Sequence, residues 1–390
     1  MSCERAGALL DFLRGRRECM VDFLVAIASL ESPTDKPETQ YAVQEYLTKA
    51  LEERGFLVRR IPGKRTGGHL FARPLDRKKG HPGQLLVGHS DTVWPVGTLQ
   101  SMPVLVEESH VRGPGTFDMK AGLVQGIFAI EALNALKLEP PATPVWIINS
   151  DEEIGSPESQ RWVRLIAQHV ERAFVLEPAF GLEGKLKTAR KGFARFKVNV
   201  KGIHAHSGLD PSAGASAIEE LSQIILELHA LTDQERGTNV NVGTIKGGTR
   251  PNVIAATASC EVDIRACTNK DLERLSQRIF DLKPRIQGTE IDIDCVLSVP
   301  PLEKTGRNRA LWEEALIAGQ RLGMELQEFT SGGGSDGNTT SQFTATLDGL
   351  GAIGDGAHAL HEGIVIESMV ERAALLAELL MAPIASSLQQ

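Results

Sequence analysis

Three short apolar runs in this 390-residue sequence end in residues able to hold a metal ion. Leu85-Leu86-Val87 leads into Gly88-His89-Ser90-Asp91, Val145–Ile148 into Asn149-Ser150-Asp151-Glu152-Glu153, and Ala173–Leu176 into Glu177-Pro178. Two other segments belong with them. Gly113-Pro114-Gly115-Thr116-Phe117-Asp118 is a Gly-rich turn that delivers Asp118 to the start of a helix, and Gly354-Asp355-Gly356-Ala357-His358 delivers a second His. Carboxylates crowded in this way raise one another's pKa and pay for desolvation, so the cluster needs protons or a cation. His and carboxylate donors without Cys form a borderline ligand set that suits zinc, with manganese or cobalt as substitutes. The donors suffice for two ions. A carboxylate shared by metals about 3.5–4 Å apart is a common device for hydrolysis by activated water, which then requires a general base.

Each piece has a plainer reading. A lone His-x-Asp after a strand is commonly a loop, and Asp-Glu-Glu is commonly a helix N-cap. A phosphate-binding role for the Gly-rich turn is rejected, because the Gly-x-Gly-x-x-Gly spacing is incomplete and Asp118 would repel phosphate. The force of the reading lies in the pieces meeting at one sheet edge.

Helical apolar spacing covers 5–30 and 38–55, and from Phe56 the pattern alternates between the apolar runs and helical stretches at about 119–137 and 157–170. Such alternation predicts an α/β architecture, a mostly parallel sheet flanked by helices, with ligands at the carboxyl ends of its strands. Beyond Gly181 the texture changes. Strands at 193–200, 239–246, 253–265 and 290–298 have one polar face, and helices at 212–231 and 269–285 separate them. This predicts an α+β unit inserted into the larger one, with two helices on one side of a small sheet. A helix at 308–323, a strand near 343–348 and a helix at 366–382 return to the first pattern. The expected domains are 1–180 with 295–390, and 181–294.

The sequence is 42% hydrophobic and 24% charged, as in a globular protein with a full core. With 42 Lys and Arg against 50 Asp and Glu, and no basic stripe, nucleic acid is not an expected partner. No apolar run reaches membrane-spanning length, and the beginning of the chain does not read as a signal peptide. Cys3, Cys19, Cys260, Cys267 and Cys295 are scattered without Cys-x-x-Cys spacing, so a reducing cytoplasm is expected.

His89-Ser90-Asp91-Thr92-Val93, Gly113-Pro114-Gly115 with Asp118-Met119-Lys120-Ala121-Gly122, and Asp151-Glu152-Glu153-Ile154-Gly155-Ser156 together resemble the dizinc peptidase family of glutamate carboxypeptidases. Acetylornithine deacetylase and succinyl-diaminopimelate desuccinylase are relatives in it. The similarity runs from about 20 to 380 and includes Gly202-Ile203-His204-Ala205-His206-Ser207-Gly208 and Gly332-Gly333-Gly334-Ser335-Asp336-Gly337. It implies that His89, Asp118 and Glu177 hold one zinc and that Asp118, Glu153 and His358 hold the other, with Glu152 as general base. Asp91 would fix the His89 tautomer from behind. The family pattern selects His358 over His361, and His206 over His204. His206 would be an oxyanion donor reaching the partner subunit's site. The resemblance also implies a cis bond between Asp118 and Met119.

Arg265 matches a family Arg able to clamp a substrate carboxylate, assisted by Asn252 and the Gly332, Gly333 and Gly334 backbone. A strand-end salt bridge with Asp263 is its alternative reading. The expected function is a metal-dependent amide hydrolase, dimeric through the inserted unit. Its substrates would be N-acyl amino acids or small peptides with a free C-terminal carboxylate. A biosynthetic N-acyl deacylase of the acetylornithine or succinyl-diaminopimelate type, or a non-catalytic scaffold, are the alternatives.

Overall fold

The computed structural model describes residues 2–384. The chain divides into two compact units, the first running through Thr188 and including Lys304–Thr330 and the residues from Ser335 on, the second comprising Ala189–Glu303 with Ser331–Gly334.

The first unit is built on a six-stranded sheet in the order Phe56–Ile61, His69–Pro74, Thr143–Asn149, Gly83–His89, Arg172–Val175, Ala345–Leu347. The last four strands run parallel, while the two outermost on the other side pair antiparallel. Every residue of Gly83–His89 is buried, as a continuous apolar strand between two helical layers requires. Leu86, Trp146, Ile148 and Phe174 pack on one face with the helices Arg17–Ala28, Ala121–Ala135 and Ile366–Leu380. Leu85, Val87, Ile147 and Val175 pack on the other with Val163 of the helix Gln160–Ala167.

Register aligns the strand ends that matter. His89 lies opposite Asn149 and Val87 opposite Val175, so the residues following all three strands emerge on one rim. The helix Ala121–Ala135 is seated against that rim by Gly122, where a Cβ would stand 2.0 Å from the Leu176 carbonyl oxygen. No side chain larger than hydrogen fits there, and the close approach brings the Asp118 turn beside Glu177. The Asp118–Met119 peptide bond is cis.

The second unit is a four-stranded antiparallel sheet in the order Asn239–Gly247, Thr257–Ala266, Gly192–Lys201, Glu290–Val299. Alternate residues, among them Phe196, Val198, Cys260, Val262 and Ile264, bury against Leu221 and Ile224 of the helix Ala217–His229 and Leu275 and Ile279 of the helix Asn269–Phe280. Side-chain caps start both helices: Ser216 accepts from the Glu219 N–H, and Thr268 from the Asp271 N–H.

Several boundaries differ from the sequence-based expectation. The units part at 188/189 and 303/304 rather than 180/181 and 294/295, because the strand Glu290–Val299 continues pairing with Gly192–Lys201 past residue 295. Gly332 to Gly334 also fall with the second unit. The helix expected over 5–30 breaks at Gly15 and Arg16 into Ser2–Gly15 and Arg17–Ala28. The helix expected from 212 begins at Ala217, after the short turn Pro211–Ala213.

Candidate metal centre and catalytic residues

His89 ends its strand with its ring orientation already determined. Nδ1 lies 2.9 Å from the Asp91 backbone carbonyl, which can only accept, so in the neutral ring Nδ1 carries the proton and Nε2 presents its lone pair. That lone pair faces Asp118 Oδ1 and Glu177 Oε1, each at 3.3 Å. The other oxygen of Asp118, Oδ2, lies 3.4 Å from His358 Nε2, which is 3.1 Å from Glu153 Oε2. The two oxygens of one carboxylate thus address two imidazoles, each with a second carboxylate beside it. Glu152 joins the first group, its carboxylate within 4.8 Å of the ligand atoms of His89 and Glu177.

Five carboxylates, those of Asp91, Asp118, Glu152, Glu153 and Glu177, meet two imidazoles here, so protonating both rings still leaves negative charge in excess. Burial alone would lower the His89 pKa, yet the Asp118, Asp91 and Glu177 carboxylates around the ring hold it well above the usual His value. For Asp118, burial is outweighed by His358 and His89, which hold its carboxyl below the ordinary range. Glu152 moves the other way: burial and then the Glu177 charge keep it well above a normal carboxylate. Burial pushes Glu153 up to about 7, and hydrogen bonds to Asp118 and Glu153 lift His358 to about 10.

The donors fit divalent ions. His89 Nε2, Asp118 Oδ1 and Glu153 Oε1 are buried without a hydrogen-bond partner. Donor separations of 3.1–3.4 Å correspond to the edge of a tetrahedron with bonds of about 2.0–2.1 Å. A cation at each group would convert facing lone pairs from repulsion to ligation.

Asp91 does less for His89 and more for its neighbours than the sequence suggests. Its carboxylate is 3.4 Å from Nδ1, farther than its own carbonyl, because it accepts from Thr34 Oγ1 at 2.7 Å and from the Glu152 and Glu153 N–H groups at 3.4 and 3.3 Å. It thereby orients the acidic turn.

Other positioning residues emerge only in three dimensions. Glu362 is fully buried, and its carboxylate accepts the N–H groups of Gly115, Phe117 and Asp118 at 2.9, 3.0 and 3.0 Å and the Trp94 indole N–H at 2.7 Å. It ties the Asp118 turn to the loop bearing His358. Asp336 accepts from Asn149 Nδ2 at 2.5 Å and Ser156 Oγ at 2.7 Å, bracing the Asp151–Ser156 turn. Asp151 accepts from the Glu158 and Ser159 N–H groups at 2.8 and 3.1 Å.

The expected substrate-binding residues are in the second unit. Arg265 is engaged, donating from Nε and Nη2 to Asp263 at 2.7 and 3.2 Å and from Nη1 to the Gly332 carbonyl at 3.4 Å, so the salt-bridge alternative is what forms. Gly333 and Gly334 accept from Arg190, a buried residue that sequence reasoning passed over. Asn252 is exposed, and its carbonyl accepts the Ser207 N–H at 3.1 Å, which sets it beside His206. His206 is exposed too, and its Nδ1 accepts the N–H groups of Gly208 and Leu209 at 3.1 and 3.2 Å. The neutral ring consequently carries its proton on Nε2.

Residues 188–283 match the peptidase dimerisation domain of the M20 peptidases. The chain is 26% identical to carboxypeptidase G2 of Pseudomonas sp. (strain RS-16) over 387 residues, 97% of this chain and 92% of that protein. It is 28% identical to the succinyl-diaminopimelate desuccinylase of Paracidovorax citrulli over 367 residues, 88% of this chain and 92% of the other. The crystal structure of aminopeptidase PepT from Bacillus cereus superimposes with a TM-score of 0.79 at 21% identity, covering 94% of this chain and 98% of PepT, and so shares the fold. The dimerisation-domain match falls on the second unit, the sheet-edge site lies in the first, and the similarity to these two hydrolases runs over most of the chain.

Proposed function

We propose that the protein is a metal-dependent amide hydrolase cleaving N-acyl amino acids or small peptides that end in a free carboxylate. Asp118 carries the reading, because its two oxygens are turned toward separate His and carboxylate groups. His89, Asp118 and Glu177 would hold one zinc ion, and Asp118, Glu153 and His358 the other. When bound, such ions lower the pKa of a shared water and polarise the scissile carbonyl. Glu152 takes a proton from the attacking water and returns it to the amine nitrogen as the carbon–nitrogen bond breaks. His206 supplies an Nε2–H donor to the developing oxyanion. Arg265 would bind the substrate carboxylate by exchanging it for Asp263 on the same fork of donors.

The second unit is proposed to form a homodimer. Among the described residues its strand Asn239–Gly247 is an edge of the sheet, and Ile245 on that strand is exposed together with Ile218 and Leu226 on the adjacent helix. All five cysteines are free, which suits a reducing compartment. Among the described residues, no helix is long and apolar enough to cross a membrane.

The test is a panel of N-acyl amino acids and dipeptides offered to zinc-loaded protein. Hydrolysis should be abolished by chelation and restored by zinc, with about two ions per chain at full activity. Turnover confined to N-acetylornithine or N-succinyl-diaminopimelate would favour the biosynthetic deacylase reading. No turnover across the panel at full metal occupancy would favour a scaffold. Glu362→Ala should weaken zinc affinity about 10- to 100-fold in competition with a chromophoric chelator, since Asp118 loses the anchor of its turn. Unchanged affinity would show that the turn holds itself.

A further inference from the structure

We infer that Thr34 is a positioning residue for the metal centre, its hydroxyl holding the Asp91 carboxylate on the turn Glu152–Ile154 rather than on His89. The inference rests on the amide-hydrolase reading above and adds a residue to that site.

Residues 30–34 include none of the proposed ligands, yet they brace the chain beside several of them. They extend the strand Gly83–His89 at its carboxyl end: the Thr92 N–H donates to the Ser32 carbonyl at 3.0 Å and the Thr34 N–H to the Thr92 carbonyl at 3.2 Å, with Pro33 and Thr92 in a parallel bridge. Ser32 Oγ donates to the Ser90 carbonyl at 2.7 Å, and Gln40 Nε2 to the Ser32 carbonyl at 2.6 Å. At the other end, the Leu30 carbonyl accepts from Lys120 Nζ at 2.9 Å, two residues past Asp118. Thr34 is buried in this backbone pairing, so its hydroxyl is delivered to one place.

That place is Asp91. Thr34 Oγ1 donates to Oδ2 at 2.7 Å, whereas the Glu153 N–H reaches the same oxygen at 3.3 Å and the Glu152 N–H reaches Oδ1 at 3.4 Å. His89 Nδ1 is also 3.4 Å from Oδ1, but its shorter contact is the Asp91 carbonyl at 2.9 Å. A carboxylate is the stronger acceptor and ordinarily takes an imidazole N–H within reach. The hydroxyl on the other oxygen offsets that preference. Without it, the carboxylate is free to turn to His89 Nδ1 and leave the two backbone N–H groups. Glu153 then loses a support, which weakens the ion it would share with Asp118 and His358. His89 gains a stronger partner behind its ring, which does not weaken the ion it would share with Asp118 and Glu177. Thr34 therefore acts on the two ions unequally.

The experiment compares Thr34→Val, which matches the side chain's shape without a donor, with Thr34→Ser, which keeps the donor. Stepwise zinc binding in competition with a chromophoric chelator should show one ion held about 10- to 100-fold more weakly in Thr34→Val, the other no more weakly than in wild type, and both restored in Thr34→Ser. The His89 ring N–H proton, followed by NMR in zinc-loaded protein carrying 15N-labelled histidine, should move downfield in Thr34→Val as the carboxylate replaces the carbonyl. With saturating zinc, kcat should fall about 10- to 100-fold with KM nearly unchanged, because Glu152 loses the same support. Equal weakening of both ions with a lowered melting temperature, or Thr34→Ser as impaired as Thr34→Val, would reduce Thr34 to a structural residue and overturn the inference. Unchanged zinc affinities in Thr34→Val would overturn it as well. Zinc affinity and the ring proton are read without substrate, so absence of turnover by the wild-type protein would remove the hydrolase reading and leave the role of Thr34 to be decided by those two measurements.

Discussion

Glu152→Gln should lower kcat by about 100- to 10,000-fold while leaving zinc content unchanged, and Glu153→Ala should lose zinc as well as activity. The two residues are consecutive, both belong to the turn Glu152–Ile154, and both have N–H groups directed at Asp91, so the difference is not one of location. It comes from what each carboxylate faces. Glu153 Oε2 is 3.1 Å from His358 Nε2, in the group that shares Asp118, whereas Glu152 approaches His89 and Glu177. Gln keeps the size of Glu152 and one carbonyl oxygen but cannot take a proton at neutral pH. Metal analysis beside steady-state kinetics checks the pair. Substantial turnover by metal-saturated Glu152→Gln would remove it as the base, and metal loss in that variant would make it a ligand.

The parts of the site legible in the sequence are those written as contiguous chain. An apolar run followed by a ligand residue specifies a buried strand and what stands at its end, so His89, Glu152, Glu153 and Glu177 could be read directly. Their convergence needed only the rule that parallel strands present their carboxyl ends together, which the register of Gly83–His89 with its neighbours realises. What escaped was every interaction closed by the fold. Glu362 looks like any acid near a His until four N–H donors from two distant segments are seen to converge on it. Arg190 is an ordinary strand cation until Gly333 and Gly334 curl over it. The boundary misjudged at 294 has the same origin, because the last residues of an edge strand are held by a partner a hundred positions earlier. Arg265 shows the converse: a two-residue spacing to Asp263 puts both on one face of a strand, and the pair closes.

His206→Ala should reduce kcat by about 100- to 1,000-fold, equivalent to about 2.7–4 kcal/mol, without changing metal content. The physical case starts from the ring itself. With Nδ1 accepting two backbone N–H groups, the proton is held on Nε2 of an exposed side chain whose only other conspicuous property is that it belongs to the dimerisation domain. A donor so prepared, and not spent on a partner within its own loop, is suited to an oxygen that gains charge during attack. Were His206 only a polar residue closing the turn through Gly208 and Leu209, its loss would lower stability and leave kcat nearly intact. Whether it serves its own chain or the partner is decided by mixing His206→Ala with Glu152→Ala protein, each inactive alone. In a mixed dimer, the subunit that retains Glu152 faces a partner that retains His206, so a trans arrangement restores one site in each heterodimer. Equal mixing with random exchange should then recover about one quarter of wild-type activity. Heterodimers confirmed by native mass spectrometry that show no recovery would confine His206 to its own chain, or remove it from the reaction if His206→Ala alone proves active.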